Sequence, residues 1–413
     1  MLSTIFKGQF RGSPSLTSSN HHLRRFHYNA QHQALKDTVK KIIDRDINPN
    51  VNKWEEEEEF PSHKIFKTLG DAGVLGITRD PQYGGLGLDY SYSMAFFEEL
   101  ASIDCGGVST AIIVHTDMTL PALANFGSDK LKREFLEPTI KGDLVSCVGI
   151  TEPSGGSDVA ALTTSAIERD GDLIINGSKT WITNGCQSDW ICLLANTSND
   201  APHRNKSLIC VPKNTPGVKV GKKIKKMGLR CSDTATIYLE DVRVPKSYII
   251  GEPGQGFTYQ MLQFVDERVC ASVLGVHQMQ RLLDQTVAYC RERKTFGRSL
   301  IQNQVIHFRL AELKSEVELL KSLNLRIADM IIAGETMSHD ASIALLTATS
   351  KLKAGRLIRE VADTCLQYFG GMGYSSEMLV ERFYRDSRSM SIAGGADEIM
   401  IGIVAKIMGT LSR

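Results

Sequence analysis

The hydrophobic period of this chain changes twice, and that alone rules out most architectures. From about residue 30 to 144, apolar residues recur at three- and four-residue spacing, as in 35–43, 65–72, 93–103 and 130–140, with Gly- and Pro-bearing turns between. Between 145 and about 252 the period falls to two, and segments 172–177, 190–194, 207–211 and 236–239 read as short strands bounded by turn residues. After Gly256 long amphipathic helices return and continue to the end, interrupted by Gly297, Gly334 and the pair Gly370 and Gly371. Clustered strands argue against alternating βαβ units. The order predicts a helical N-terminal region, a compact antiparallel β domain and a C-terminal helical bundle. The corresponding division is 29–144, 145–252 and 253–413, preceded by a leader over 1–28.

The leader stands apart in composition. The first 36 residues hold no Asp or Glu, yet carry Lys7, Arg11, Arg24, Arg25 and Lys36 among many Ser and His residues. Such a segment reads as a mitochondrial transit peptide cut near residues 26–29, which implies the matrix as destination. Removing Lys7, Arg11, Arg24 and Arg25 takes the formal charge from +1 to −3. Either balance is too small to suggest a nucleic-acid partner, and no apolar run approaches the ~20 residues of a membrane span. Nine scattered cysteines without a CxxC pair argue against a disulfide framework or zinc site, and for a reducing compartment. The acidic run 55–59 reads as a solvated face.

No GxGxxG, Walker A, HExxH or GxSxG pattern occurs, which removes the commonest nicotinamide, P-loop, zinc-protease and serine-hydrolase readings. Four other segments carry candidate chemistry. The loop 148–158 holds Thr151, Glu152, Pro153, Ser154, Gly155, Gly156 and Ser157, and its backbone amides can approach a planar or anionic ligand. Trp181, Ile182 and Thr183 set an aromatic face and a hydroxyl on one side of a strand. Arg293, Thr295 and Gln304 sit between two helices, where the Arg could bind a phosphate. Gln367, Gly370 and Gly371 mark a Gly-rich break in the last helices, suited to close backbone approach.

Glu267 opens the bundle on a helical stripe whose other members, Phe264, Cys270, Ala271 and Leu274, are apolar. A carboxylate there is costly unless it is paired, snorkels to water, or has its environment put to use.

Taken in order, these segments resemble the acyl-CoA dehydrogenase flavoproteins over nearly the whole chain after the leader. The resemblance implies an all-α N-terminal domain, a central antiparallel β-barrel-like domain and a C-terminal four-helix bundle, with FAD as cofactor, an acyl-CoA substrate, a homotetramer, and electron-transferring flavoprotein as electron acceptor. It implies that Thr151 and Thr183 hydrogen-bond the flavin ring, that Trp181 and Ile182 lie against it, and that Ser157 serves both flavin and CoA. It further implies that Arg293, Thr295, Gln304, Gln367, Gly370 and Gly371 reach a neighbouring subunit's FAD. Many members carry the catalytic Glu near the C-terminus, where this chain has Gly394 followed by Gly395, Ala396, Asp397 and Glu398. Branches similar to long-chain, isovaleryl- and citronellyl-CoA dehydrogenases place the base on the first bundle helix instead, at the position of Glu267. Arg268 would then help to position the substrate, the Gly394 amide would donate to the thioester oxygen, and Gly395 would lie beside it. Asp397 and Glu398 match polar positions next to the cofactor. Ala396 replaces the usual Thr. Two other readings remain at this point: an assembly factor of the same fold with little turnover, and an oxygen-using acyl-CoA oxidase.

Overall fold

The computed structural model describes residues 26–335 and 341–411, so most of the leader, residues 1–25, lies outside the described residues. The N-terminal helices are α1 (Ala30–Ile42), α2 (Val51–Glu57), α3 (Ser62–Asp71), α4 (Tyr90–Leu100), α5 (Gly106–Ile113), α6 (Leu120–Phe126), α7 (Asp129–Leu131) and α8 (Glu137–Ile140). Asn29 starts α1 by accepting the amides of Gln31 and His32 at 2.9 and 3.2 Å. The expected single helix over 130–140 is broken by a wider π turn at Lys132–Leu136, ahead of Pro138.

The middle region forms β1 (Ser146–Gly149), β2 (Ser165–Arg169), β3 (Asp172–Thr183), β4 (Trp190–Asn196), β5 (Lys206–Pro212), β6 (Val218–Val220), β7 (Thr234–Pro245) and β8 (Ile249–Ile250). They pair in one sheet in the order β6-β7-β3-β2-β4-β5-β8, with β1 added against β4. Most of its pairs are antiparallel, as expected. β1 and β2 run parallel to β4, and the hydrogen-bonded path stays open from β6 to β8. β4 is buried on both faces, so it reads as an unbroken apolar run rather than an alternation. Trp190, Cys192 and Leu194 pack with Leu120, Leu123 and Phe135, whereas Ile191, Leu193 and Ala195 face a second core with Ile209, Val211 and Ile237.

The C-terminal region holds α9 (Gly256–Glu292), α10 (Gln304–Ile332), α11 (Ala341–Phe369), α12 (Leu379–Ser387) and α13 (Asp397–Ile407), with a short hairpin of β9 (Lys294–Thr295) and β10 (Arg298–Ser299) after α9. α9 has two packing environments. Val269, Cys270, Val273 and Leu274 join the N-terminal core, and Val276, Met279, Leu282 and Leu283 join the bundle core with Leu357, Ile358 and Val361. One helix of 37 residues therefore holds two domains in fixed relation.

Two sequence expectations fail at the junction of the three domains. Glu55 is not part of a solvated face: it accepts the Cys231 amide at 3.0 Å and lies 3.4 Å from the Arg385 guanidinium. Cys105 and Cys231, separated by 126 residues, are disulfide-bonded, and the other seven cysteines are free. Linear spacing could not reveal that pair, because the fold brings the start of α5 against the loop before β7. Asp386 on α12 completes the junction by accepting the amides of Gly106 and Leu229.

Candidate functional site

Glu267 lies on α9 where that helix passes between the N-terminal core and α11. It is 6% exposed, and burial pushes its carboxyl up to about 7, with the Arg268 and Lys351 charges opposing the rise. Facing it is a turn built by glycine. The amides of Ile392 and Ala393 both close on the Ser389 carbonyl at 2.9 Å, and the chain then passes through Gly394 and Gly395 at φ +65° and +96°. A Cβ built on Gly394 would lie 2.9 Å from Glu267 Oε1. The carboxylate thus fills the volume that a side chain at 394 would take. Left-handed φ and steric room require glycine there for independent reasons.

Lys351 on α11 supports the turn. Its ammonium, 1% exposed, donates to the Gly395 carbonyl, and burial lowers it to about 8 against the Asp397 and Glu267 charges. Sequence pattern gave no sign of it, since a lysine within a helix reads as a surface residue. Asp397, at the first turn of α13, lies 3.5 Å from Arg356 and 3.4 Å from Arg359, and Glu398 is exposed. Neither touches Glu267 in any recorded contact. Arg268 is buried, its guanidinium 5.8 Å from the Phe264 ring centre and its Nε without a partner.

Asp266, one residue earlier, points elsewhere. Burial also raises it to about 7, and its charged neighbours are Arg79 and Asp117. Two acids of similar proton affinity therefore adjoin on α9, but it is Glu267 that meets the glycine turn.

The loop after β1 is anchored by an acid the sequence did not single out. Glu152 accepts from the amides of Thr163 and Thr164 at 2.7 and 2.9 Å, and from Lys179 Nζ at 2.9 Å. Both ends of that ion pair are buried; burial lowers Lys179 to about 8, and the Lys179 charge and these hydrogen bonds hold Glu152, against its own burial, down at about 2. Lys179 also donates to the Ile150 carbonyl at 3.0 Å, and the Thr180 amide to the Thr151 carbonyl at 2.8 Å. The loop is thereby tied to β3 just before Trp181.

Strand alternation does not hold there. A bulge interrupts the pairing between Lys179 and Ile182, and Trp181 has φ +62°. The indole is turned outward, 60% exposed, while Ile182 is buried and Thr183 half-buried. Thr151 is half-buried and Ser157 exposed, and the bond from the Thr180 amide to the Thr151 carbonyl puts this loop beside the strand that carries the indole.

The remaining sequence candidates gather at the far end of the bundle. Thr295 lies in the β9–β10 hairpin, Gln304 begins α10, and Gln367, Gly370 and Gly371 lie where α11 ends. Tyr289 stacks on Phe369 with ring centres 4.4 Å apart, and Tyr368 Oη donates to the Val305 carbonyl at 3.5 Å, so the two sets share one end. Arg293, Gln304, Gln367, Gly370 and Gly371 are all exposed. Arg293 follows Glu267 by 26 residues along α9, a rise of ~39 Å.

Three family descriptions match consecutive parts of the chain: the acyl-CoA dehydrogenase N-terminal domain over residues 29–143, the middle domain over 147–242 and the C-terminal domain over 254–409. The mitochondrial long-chain specific acyl-CoA dehydrogenase of Sus scrofa is 32% identical over 381 residues, covering 92% of this chain and 86% of that one. The mitochondrial short-chain specific enzyme of Rattus norvegicus is 33% identical over 379 residues, covering 91% and 89%. The crystal structure of an acyl-CoA dehydrogenase from Geobacillus kaustophilus superposes with a TM-score of 0.88 at 31% identity, covering 92% and 99%. An FAD complex of PigA gives 0.87 at 25% identity, covering 93% and 99%. This chain belongs to the acyl-CoA dehydrogenase family of oxidoreductases.

Proposed function

We propose that this protein oxidises an acyl-CoA thioester to its α,β-unsaturated form, with FAD as cofactor and Glu267 as the base. One observation carries the reading: a buried carboxyl, raised to about 7, packed against a left-handed glycine turn that leaves it the only space available. An ordinary surface Glu (pKa ~4.3) is too weak a base for a thioester α-proton. Burial narrows that gap in this protein before any substrate arrives.

The exposed face of Trp181 suits a flat ring system. An indole turned out of its sheet offers a stacking surface, and Thr151, Thr183 and Ser157, on its strand and the loop tied to it, offer hydrogen bonds. FAD, when bound, supplies the acceptor for the hydride that leaves the β-carbon. The protein's own part is proton chemistry and positioning. Glu267 takes the α-proton. The Gly394 amide, presented by the turn that Lys351 braces, donates to the thioester oxygen as charge develops on it. One such donor is worth roughly 2.7–4 kcal/mol in comparable oxyanion sites. Arg268, with its unpartnered Nε, is the candidate to orient the substrate, with Gly395 as a second substrate contact.

Arg293, Thr295, Gln304, Gln367, Gly370 and Gly371 stand too far from Glu267 for one ligand of one chain to touch both sets. They fit a role in a neighbouring subunit's cofactor site, which makes a homotetramer the assembly of choice. Phe296 and Tyr374, almost wholly exposed at the same end, are apolar groups that such an interface would cover. Electron-transferring flavoprotein as acceptor and a mitochondrial destination for the processed chain complete the reading. Among the described residues no helix is long and apolar enough to cross a membrane.

Purified protein should be yellow and should bleach anaerobically on addition of acyl-CoA. The variant Glu267→Gln should keep the colour and bind the thioester but bleach at least ~10²-fold more slowly. Near-normal bleaching in that variant removes Glu267 as the base. Failure of the wild-type protein to bleach with any acyl-CoA would favour a non-catalytic role.

A further inference from the structure

The stripe of α9 that carries Glu267 continues through Cys270 and Ala271 to Leu274, Gln278 and Arg281, at steps of three, four, seven, eleven and fourteen residues. Two turns beyond the carboxyl, that stripe meets a cavity of about 60 Å³, walled by Thr110 of α5, Leu274 and Leu282 of α9, Ile358 of α11, Phe383 of α12, and Met390. Those walls are mostly apolar. The Arg281–Asp104 ion pair stands at its edge, with Arg281 also donating to the Ser102 carbonyl at 2.9 Å. Between base and cavity, Cys270 is fully buried and Ala271 half-buried, so only small side chains stand on the stripe at that step.

The dimensions bear on the substrate. Seven residues of helix rise ~10 Å. An extended chain advances ~3.4 Å per three bonds, so ~10 Å is spanned by about nine bonds. A space of this size holds about four to six water-sized groups, and a methylene is such a group. A chain whose α-carbon lies at Glu267 therefore enters the cavity only after about ten carbons, and fills it with a few more.

We propose that the cavity receives the distal end of the acyl group and makes this protein selective for long-chain acyl-CoA thioesters, on the order of 12–16 carbons. The inference rests on the acyl-CoA reading above and adds the substrate class to it. The relatives do not make this choice, since long-chain and short-chain specific enzymes match the chain about equally, at 32% and 33% identity.

The test is anaerobic flavin reduction of the purified holoprotein by butyryl-, isovaleryl-, octanoyl-, dodecanoyl- and palmitoyl-CoA. The expected order places dodecanoyl- and palmitoyl-CoA at least about tenfold above butyryl- and isovaleryl-CoA in kcat/KM. Thr110→Leu, which adds bulk to the cavity wall, should lower the palmitoyl-to-butyryl ratio by about tenfold. Ile358→Phe tests the same wall from α11 should the first variant fail to fold. A wild-type optimum at butyryl- or isovaleryl-CoA overturns the proposal, and so does a folded variant whose ratio is unchanged. Both results leave the acyl-CoA reading standing. Reduction by none of the five thioesters sinks both.

Discussion

Glu267, the proposed base, is costly to the fold that holds it. A carboxyl whose proton affinity rises on folding binds its proton more tightly in the native state, so stability falls as pH climbs from the ordinary carboxyl value of 4.5 through about 7. Glu267→Gln should therefore be the more stable protein above pH 7, by about 3 kcal/mol, as chemical denaturation at pH 6 and pH 8 would show. On the proposed mechanism the same titration governs activity. In the free protein the base is competent only when deprotonated, so kcat/KM should rise with pH with a midpoint near 7. A flat profile from pH 5.5 to pH 8.5 would detach the activity from this carboxyl. Gly394→Ala tests the shared volume, since its methyl meets the Glu267 oxygen and its φ of +65° suits glycine. That variant should lose about tenfold or more in kcat while keeping its flavin.

At the scale of elements, the chain announces its helices and strands but not the ties that shape the site. Short apolar runs bounded by turn residues mark β4 and β5, because each is flanked by cores on both faces. The helical stripe marks Glu267 because its neighbours on α9 are apolar. Glu152, Lys179 and Lys351 stay hidden, because a buried ion pair and a buried ammonium have no pattern in linear order; only the packed partners reveal them. Trp181 is legible as a residue but not as a geometry, since the bulge that turns it outward depends on the pairing of β3 with β7. The Glu152–Lys179 pair offers a direct test. Lys179→Met leaves a buried carboxylate unpaired and should cost about 3–5 kcal/mol, measured by thermal unfolding, and should weaken FAD retention because the Thr151 loop loses its anchor. In the wild-type chain, Glu152 contributes stability that is fully present above pH 4.5 and is lost as pH falls through about 2.

At the scale of the whole molecule, α9 links the N-terminal core to the bundle, and the junction of Glu55, Asp386 and the Cys105–Cys231 bond closes the remaining corner. Thiol titration of the unfolded, unreduced protein should find seven groups rather than nine. Three domains in family order were readable from period and motif; the cross-domain bond was not, because its partners are 126 residues apart. The ~39 Å of helix between Glu267 and Arg293 has a further consequence. If each chain lends its bundle end to another chain's cofactor, then polypeptides inactivated by different lesions can cure one another. Glu267→Gln and Arg293→Ala homo-oligomers should each be poor catalysts. Unfolded together and refolded as a mixture, they should regain turnover, because some hybrid assemblies pair an intact acid with an intact guanidinium drawn from separate parents.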